Sequence, residues 1–394
     1  MVLFMTLATW VAHQKNALSE LRAFKNHLCW LEKTSSESGK TIKSLMHRHQ
    51  NKTQMISDTE HSVGSLVHGY GGGSFWLNEY CVWYINKCDQ HLYIYDFKTQ
   101  HRRKIKLDLP KDEIWHLADG QIIPSGQSIC VVERHQRNNI CYALALITPE
   151  TGEANILHAD HDFYAYPKVN DTMTQLCWIS WQNPNMPWQE SQLNIAELSI
   201  DTCTISISEV LHDDRVSYSQ PTWHHESLLY LCDKSGFHNL YRKNAISDEC
   251  ILQEDYDMGE PLWQLGVSTY SIIDPDNLII RAQAISQEKL IRVDLNHLTA
   301  TPIQSHFTHF EPYLTGTNGK LACIAKGVDR LTSIELIGSH TIRPSDNLPK
   351  NIDWCQPECL SFKNHLEQDT YAFFYLPPNT DQLPPLMVNC HGGP

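Results

Sequence analysis

Between positions 20 and 348 almost every apolar run is four to seven residues long, rich in Tyr, Trp, Ile and Val, and closed by Asn, Asp, Gly or Ser. Such a pattern predicts short strands joined by tight turns, because β-branched and aromatic side chains suit a half-buried pleated surface and the small polar residues suit the turns. The runs come in pairs of the same shape: Tyr80–Ile85 with His91–Asp96, Ser128–Glu133 with Ile140–Ala145, and Gln175–Ser180 with Gln192–Ala196. Ser227–Cys232 with His238–Arg242, Asn277–Arg281 with Lys289–Val293, and Lys320–Ile324 with Thr332–Leu336 continue the series. Three of them follow a Pro next to an aromatic residue, in Gln220-Pro-Thr-Trp223, Glu260-Pro-Leu-Trp263 and Phe310-Glu-Pro-Tyr313.

A recurrence of roughly 40 to 55 residues with about four strands per unit is the pattern of a propeller blade, which cannot bury its own faces and must stack in a closed ring. A weaker unit over Leu21–Arg48 brings the number of blades to seven. A β-sandwich would have fewer strands, differently connected, and would not explain the repeated Pro-aromatic start. The fold expected is therefore all-β, a seven-bladed β-propeller over 20–350. It is preceded by a segment 1–19 with a short helix over Thr9–Ser19 and followed by a separate region 351–394. Trp223 and Trp263 fall at equivalent places in their units and are expected to pack in the core, and Gly71, Gly72 and Gly73 are expected to begin a strand tightly. No Lys-Ser or Lys-Thr follows those glycines, which rules against a phosphate loop.

Composition narrows the chemistry. Eleven Trp and sixteen Tyr in 394 residues fit a folded globular protein, and a formal charge of −14 argues against nucleic-acid or anionic-membrane partners and is compatible with cationic ligands such as peptide amino termini. The thirteen Cys are scattered, with no Cys-x-x-Cys pair, and read as reduced thiols. His224-His225 and His47-x-His49 lack the Cys and Glu neighbours of a zinc site, so no metal and no cofactor is expected. Met1–Ala12 has no basic flank and makes a poor signal peptide, and no run reaches about 18 apolar residues, so a cytoplasmic location without membrane contact is expected. In that setting the glycosylation patterns at Asn51 and Asn170 read as chance.

After a polar linker over 351–358, Cys359–Phe362 and Thr370–Leu376 read as a hairpin leading into Leu383-Pro-Pro-Leu-Met-Val-Asn-Cys-His-Gly-Gly-Pro394. Leu386–Val388 suits a buried interior strand, and His391–Pro394 turns away from it as an oxyanion loop does.

At these residues the chain resembles the prolyl oligopeptidase family of serine peptidases, in its bacterial dipeptidyl and acylaminoacyl peptidase-like branch. The likeness rests on His68-Gly-Tyr-Gly-Gly-Gly73, His161–Pro167, Ile179–Trp188 with its Trp-x-x-Pro-x-Met-Pro-Trp core, Gln220–Trp223, Ser235–Arg242 and Tyr375–Pro394, which run in family order. The resemblance implies a propeller capping an α/β-hydrolase domain whose Ser-Asp-His triad cleaves short peptides. That triad would lie beyond Pro394, so no catalytic residue is present, and no Gly-x-Ser-x-Gly occurs in the chain. Of the hydrolase, 351–394 would hold only a truncated start, with the Gly393 backbone N–H matching the oxyanion hole. Asn185, Met186 and Trp188, on the Pro-rich loop, are candidates for the substrate chamber. The chain alone is then expected to be inactive, its partners being short peptides and the missing hydrolase domain. A non-catalytic propeller that binds peptide or protein is the alternative, and a fragment without function of its own is the third reading.

Overall fold

The structure, a computed structural model, describes residues 17–35, 38–137, 139–284, 288–344, 355–377, 383 and 385–390. Seven antiparallel sheets follow one another along the chain, over 18–55, 75–104, 113–158, 163–211, 218–252, 270–303 and 309–343. The first six have four strands each, traversed in order. In the seventh the first strand is split into His309–Phe310 and Thr315–Thr317, both paired with Lys320–Gly327. The repeat in the sequence thus corresponds to blades of a seven-bladed propeller, the weak first unit included. The first strand of every blade lines one central cavity of about 510 Å³.

The hydrophobic core lies between blades, not within them. Cys29, Leu31, Phe75 and Tyr84 join blade 1 to blade 2, and Trp83, Ile94, Leu117 and Val132 join blade 2 to blade 3. Leu229, Leu240, Ile280 and Ile291 join blade 5 to blade 6, whereas the largest cluster, around Trp178 and Tyr230, unites blades 3, 4 and 5. This explains the short, two-sided apolar runs, since each strand face meets a neighbouring blade. Blade 7 closes on blade 1 in the same way, with Tyr313, Ile324 and Ile334 against Leu21, Leu28 and Trp30. Among the described residues no strand of one blade is contributed by the other end of the chain.

A second device recurs on the first strands. Glu20, Gly73, Asp119, Tyr166 and Gln220 all take left-handed backbone angles, with φ of 51°, 55°, 48°, 54° and 52°. In blades 1, 3, 4 and 5 they sit at bulges in the pairing of first with second strand. Three of the side chains reach the next blade. Glu20 accepts the Ser74 N–H at 2.7 Å and its hydroxyl at 2.8 Å, Asp119 accepts the Tyr166 N–H at 2.7 Å, and Gln220 accepts the Thr269 N–H at 2.7 Å.

Two expectations are corrected. Leu18 and Ser19 belong to the strand Leu18–Phe24, where Leu18 packs in the cluster between blades 7 and 1, Ala17 precedes it without regular structure, and the rest of the expected helix, 9–16, lies outside the described residues. Trp263 is not equivalent to Trp223. Trp223 ends a first strand and donates to the Lys168 carbonyl at 2.9 Å, while Trp263 lies in the crossover before blade 6 and is 42% exposed. Beyond blade 7 the expected hairpin forms from Glu358–Lys363 and Asp369–Phe374. Leu386–Val388 makes no strand pairing and is 75–91% exposed, because among the described residues no strand lies beside it.

The stitching is testable. Glu20→Ala leaves the buried Ser74 N–H and hydroxyl without their acceptor, and a loss of about 2 kcal/mol is expected from urea unfolding. An unchanged urea midpoint would show that the side chain does not hold blades 1 and 2 together.

Candidate functional site

In a four-stranded blade traversed in order, turns between second and third strands lie on the same side of the ring as the crossovers between blades. Segment 182–191 is such a turn in blade 4, and 56–74 and 253–269 are the crossovers into blades 2 and 6. The chain also leaves blade 7 on that side, after Arg343. All three segments therefore share the face on which the chain leaves the ring.

At this face the two crossovers meet. The Leu265 N–H donates to the Gly71 carbonyl at 2.9 Å, Gly72 bridges Leu265 as a parallel pair, and the Asp119 N–H donates to the Gly73 carbonyl at 2.8 Å. A Cβ on Gly72 would stand 2.4 Å from the Leu265 carbonyl oxygen, and one on Gly73 would stand 2.7 Å from the Asp119 nitrogen. With positive φ at both, only glycine lets these backbones approach so closely. The glycine run thus does more than begin a strand, because it crosses to the opposite side of the ring and covers the centre.

Three exposed or half-buried aromatic rings gather beside that crossing. Trp188 packs on Trp263 with ring centres 4.4 Å apart, and Tyr70 meets Trp263 edge-on at 5.4 Å. The segment carrying Trp188 is pinned at its base: the Asn183 N–H donates to Asp162 at 2.9 Å, and the Pro187 carbonyl accepts the Ser217 hydroxyl at 2.9 Å. Met186 is 38% exposed, with its N–H held by the Gln189 side chain, and Asn185 is half-buried, its N–H donating to the Gln182 carbonyl. The loop is therefore packed at its base and open at Met186. Trp188 and Trp263 come together although one lies on a turn of blade 4 and the other in the crossover into blade 6. Trp263 and Tyr70 were not legible as partners of Trp188, because their contact depends on the crossing of the glycine run. Gly393 lies outside the described residues.

Below the crossing, the central cavity is polar. Arg22 stands 3.8 Å from the buried Asp119 and donates to the Gly266 carbonyl at 3.3 Å. Burial pushes the Lys168 ammonium down and the Tyr166 phenol up. Arg22 Nε, the Tyr166 hydroxyl and Gln220 Nε2 are buried without a hydrogen-bond partner in the protein, so the cavity suits water or a polar ligand and not an apolar one.

On the same face, between blades 6 and 7, Arg281 is 1% exposed, pairs with Glu260 and donates to the Phe310 carbonyl at 3.0 Å. His309 lies 2.9 Å from Glu288 and 3.4 Å from Glu311, which also meets Lys326 at 3.5 Å. The hydrogen bonds to Glu288 and then Glu311 outweigh burial and raise the imidazole to about 9. Glu311 is lowered in turn, first by its bond to His309.

No protein-family model matches the chain, and no curated relative was found. Among solved structures it is similar to a puromycin-hydrolyzing peptidase of Mycobacterium tuberculosis, at 20% identity and a TM-score of 0.80 over 93% of this chain and 59% of that one. It is similar also to an acylaminoacyl peptidase of Pyrococcus horikoshii, at 12% identity and a TM-score of 0.63 over 93% of this chain and 58% of that one. The β-propeller domain of the trilobed protease of Pyrococcus furiosus, which has an open velcro topology, matches at 10% identity and a TM-score of 0.57, over 85% of this chain and 100% of that one. At these identities the likeness is one of fold, a propeller similar to those of prolyl oligopeptidase-family peptidases. The chain spans about three-fifths of the length of the peptidases of Mycobacterium and Pyrococcus horikoshii.

The His309 network has a pH signature. The folded imidazole binds its proton more tightly than its ordinary value of 6.5, so the stabilisation is complete below that value and is lost as pH rises through about 9. Urea midpoints measured from about pH 6 to about pH 10 should fall across this window in the unaltered chain and fall less in His309→Gln. Parallel curves for the two proteins would remove His309 as the cause.

Proposed function

We propose that this chain is the propeller of a prolyl oligopeptidase-family serine peptidase, and that the face bearing Tyr70, Trp188 and Trp263 turns toward the hydrolase domain and contacts short peptides. The observation that carries this reading is the gathering of those three rings on the side where the chain leaves the ring after Arg343. Flat aromatic faces hold apolar side chains and attract cations, including a peptide amino terminus. The glycine crossing supports a gating role, since a folded protein cannot pass a centre spanned by Gly71–Gly73 and Leu265–Gly266. Asn185 and Met186, beside Trp188, would line the same chamber.

Chemistry would come from a Ser-Asp-His triad carried after position 394, with the Gly393 N–H helping to hold the oxyanion. The 394-residue chain alone then has neither nucleophile nor general base and turns over no peptide. Among the described residues no helix is long and apolar enough to cross a membrane, and the reading puts the protein in the cytoplasm. A second reading, a free-standing peptide-binding propeller, is favoured by one observation: among the described residues, all seven blades and the contacts that close the ring lie within 18–343.

The purified chain should not hydrolyse aminoacyl or dipeptidyl anilides, and it should quench its tryptophan fluorescence on binding short peptides. Trp188→Ala and Trp263→Ala are each expected to weaken that binding about tenfold, or about 1.4 kcal/mol. Turnover blocked by a serine reagent would overturn the inactivity, and binding indifferent to both substitutions would move the peptide site elsewhere. A hydrolase domain supplied separately that restores turnover would favour the peptidase reading over the free-standing one.

A further inference from the structure

Blade 3 carries a side-chain cluster that the peptidase reading does not use. Its first two strands, Glu113–Ile122 and Ser128–Gln136, pair so that His116 lies directly opposite Glu133, and His135 follows two residues on, on the same side of the sheet. One ligand atom from each of the three falls within 4.8 Å of the others. We propose that His116, Glu133 and His135 form a binding site for a divalent transition-metal ion, of which zinc is the one best suited to two imidazoles and a carboxylate.

The geometry fits the requirement. Around a tetrahedral ion with bonds of about 2.0–2.1 Å, neighbouring donor atoms stand roughly 3.3 Å apart. His116 Nδ1 is 3.4 Å from Glu133 Oε1 and is buried without an aligned hydrogen bond. His135 Nε2 is 2.6 Å from the same oxygen, so this pair has to open by only about 0.7 Å. The other carboxylate oxygen, Oε2, is already committed, accepting the His68 N–H at 2.8 Å. Such an outer bond fixes the orientation of a ligating carboxylate and leaves Oε1 for the ion.

Solvent reaches the cluster from one side, because His135 is 31% exposed, His116 16% and Glu133 7%. Water or a ligand of the ion can complete the coordination there. His68 belongs to the crossover that carries Tyr70 and the glycine run, so an ion on Glu133 would stiffen the segment that covers the ring centre. Glu133-x-His135 becomes informative only when the strand register sets His116 opposite it. A second histidine group, His27 with His47 and His49, stacks on itself and on Phe97, with His27 Nδ1 2.9 Å from His47 Nε2. Three imidazoles can hold zinc, but the ligand atoms of this group do not converge as those of the blade 3 cluster do, so it serves as the internal control.

The test uses the full chain, stripped with a chelator and titrated with zinc by calorimetry and with cobalt(II) by visible absorption. One ion per chain is expected, with a cobalt spectrum of low coordination number. His116→Gln and His135→Gln should each weaken binding by at least about 100-fold, beyond the roughly 10–100-fold loss typical of an outer-shell partner, while His27→Gln leaves it unchanged. Binding that survives both substitutions, or that disappears with His27→Gln, overturns the site. If the His116 and His135 variants fail to fold, copper(II) bound to the His27→Gln chain should show two coordinated imidazoles by electron paramagnetic resonance, and none or one refutes the assignment.

Discussion

The ring depends on a backbone N–H of one blade finding its acceptor in the side chain of the blade before it. A strand at the centre of a propeller has a partner on one side only, so its other edge carries N–H groups that neither a ladder nor bulk water reaches. Glu20, Asp119 and Gln220 answer this in the same way: the backbone turns left-handed at a bulge, and the side chain swings to the neighbouring first strand. Left-handed φ on a residue with a Cβ costs on the order of 1 kcal/mol, and a bond from a buried N–H to a carboxylate contributes about as much or more. The strain persists because the stitch is lost without it.

The same geometry sets what the centre can be. Where Asp119 bends, its N–H turns to the Gly73 carbonyl, and Gly73 lies against Gly266, so the stitch of blade 3 also anchors the two crossovers that meet over the cavity. Covering one mouth leaves Arg22, Lys168, Tyr166 and Gln220 in a polar chamber, and it places Tyr70 and Trp263 beside Trp188. The candidate binding face and the closure of the ring centre are thus two results of one packing event, the approach of Gly71–Gly73 to Leu265–Gly266.

The blades were legible in the sequence because their burial is two-sided and short. Runs such as Ser227–Cys232 need an apolar residue at nearly every position, and the turn residues between them punctuate the chain at regular intervals. The site was legible only where chemistry and local sequence coincide. Trp188 stands in an unusual Pro-rich stretch and could be singled out, whereas Trp263 resembled Trp223 by its distance from a proline and was misplaced by that likeness. Pro221 sits within a first strand, but Pro261 sits in a crossover, and only the ring geometry separates the two. Glu20, Asp119 and Gln220 share no residue type, so the stitch has no sequence signature. What recurs is a backbone angle and an acceptor.

Closure of the ring follows from the same economy of contacts. Blade 7 meets blade 1 through Tyr313, Ile324 and Ile334 against Leu21, Leu28 and Trp30, through the Ala23 N–H on the Thr315 hydroxyl at 2.9 Å, and through Arg343 on Glu32 at 2.6 Å. These are apolar side chains, one hydroxyl acceptor for a first-strand N–H and one ion pair, the kinds of contact that join blades elsewhere in the ring. Because among the described residues no interface between blades is a shared strand ladder, the seam is not weaker in kind than the joints beside it. A ring built this way needs each blade to present a complementary face on both sides. The first unit could therefore be the least regular of the seven in sequence and still close the ring, since what closure demands of it is the buried face of Leu21, Leu28 and Trp30 and not a particular strand pattern.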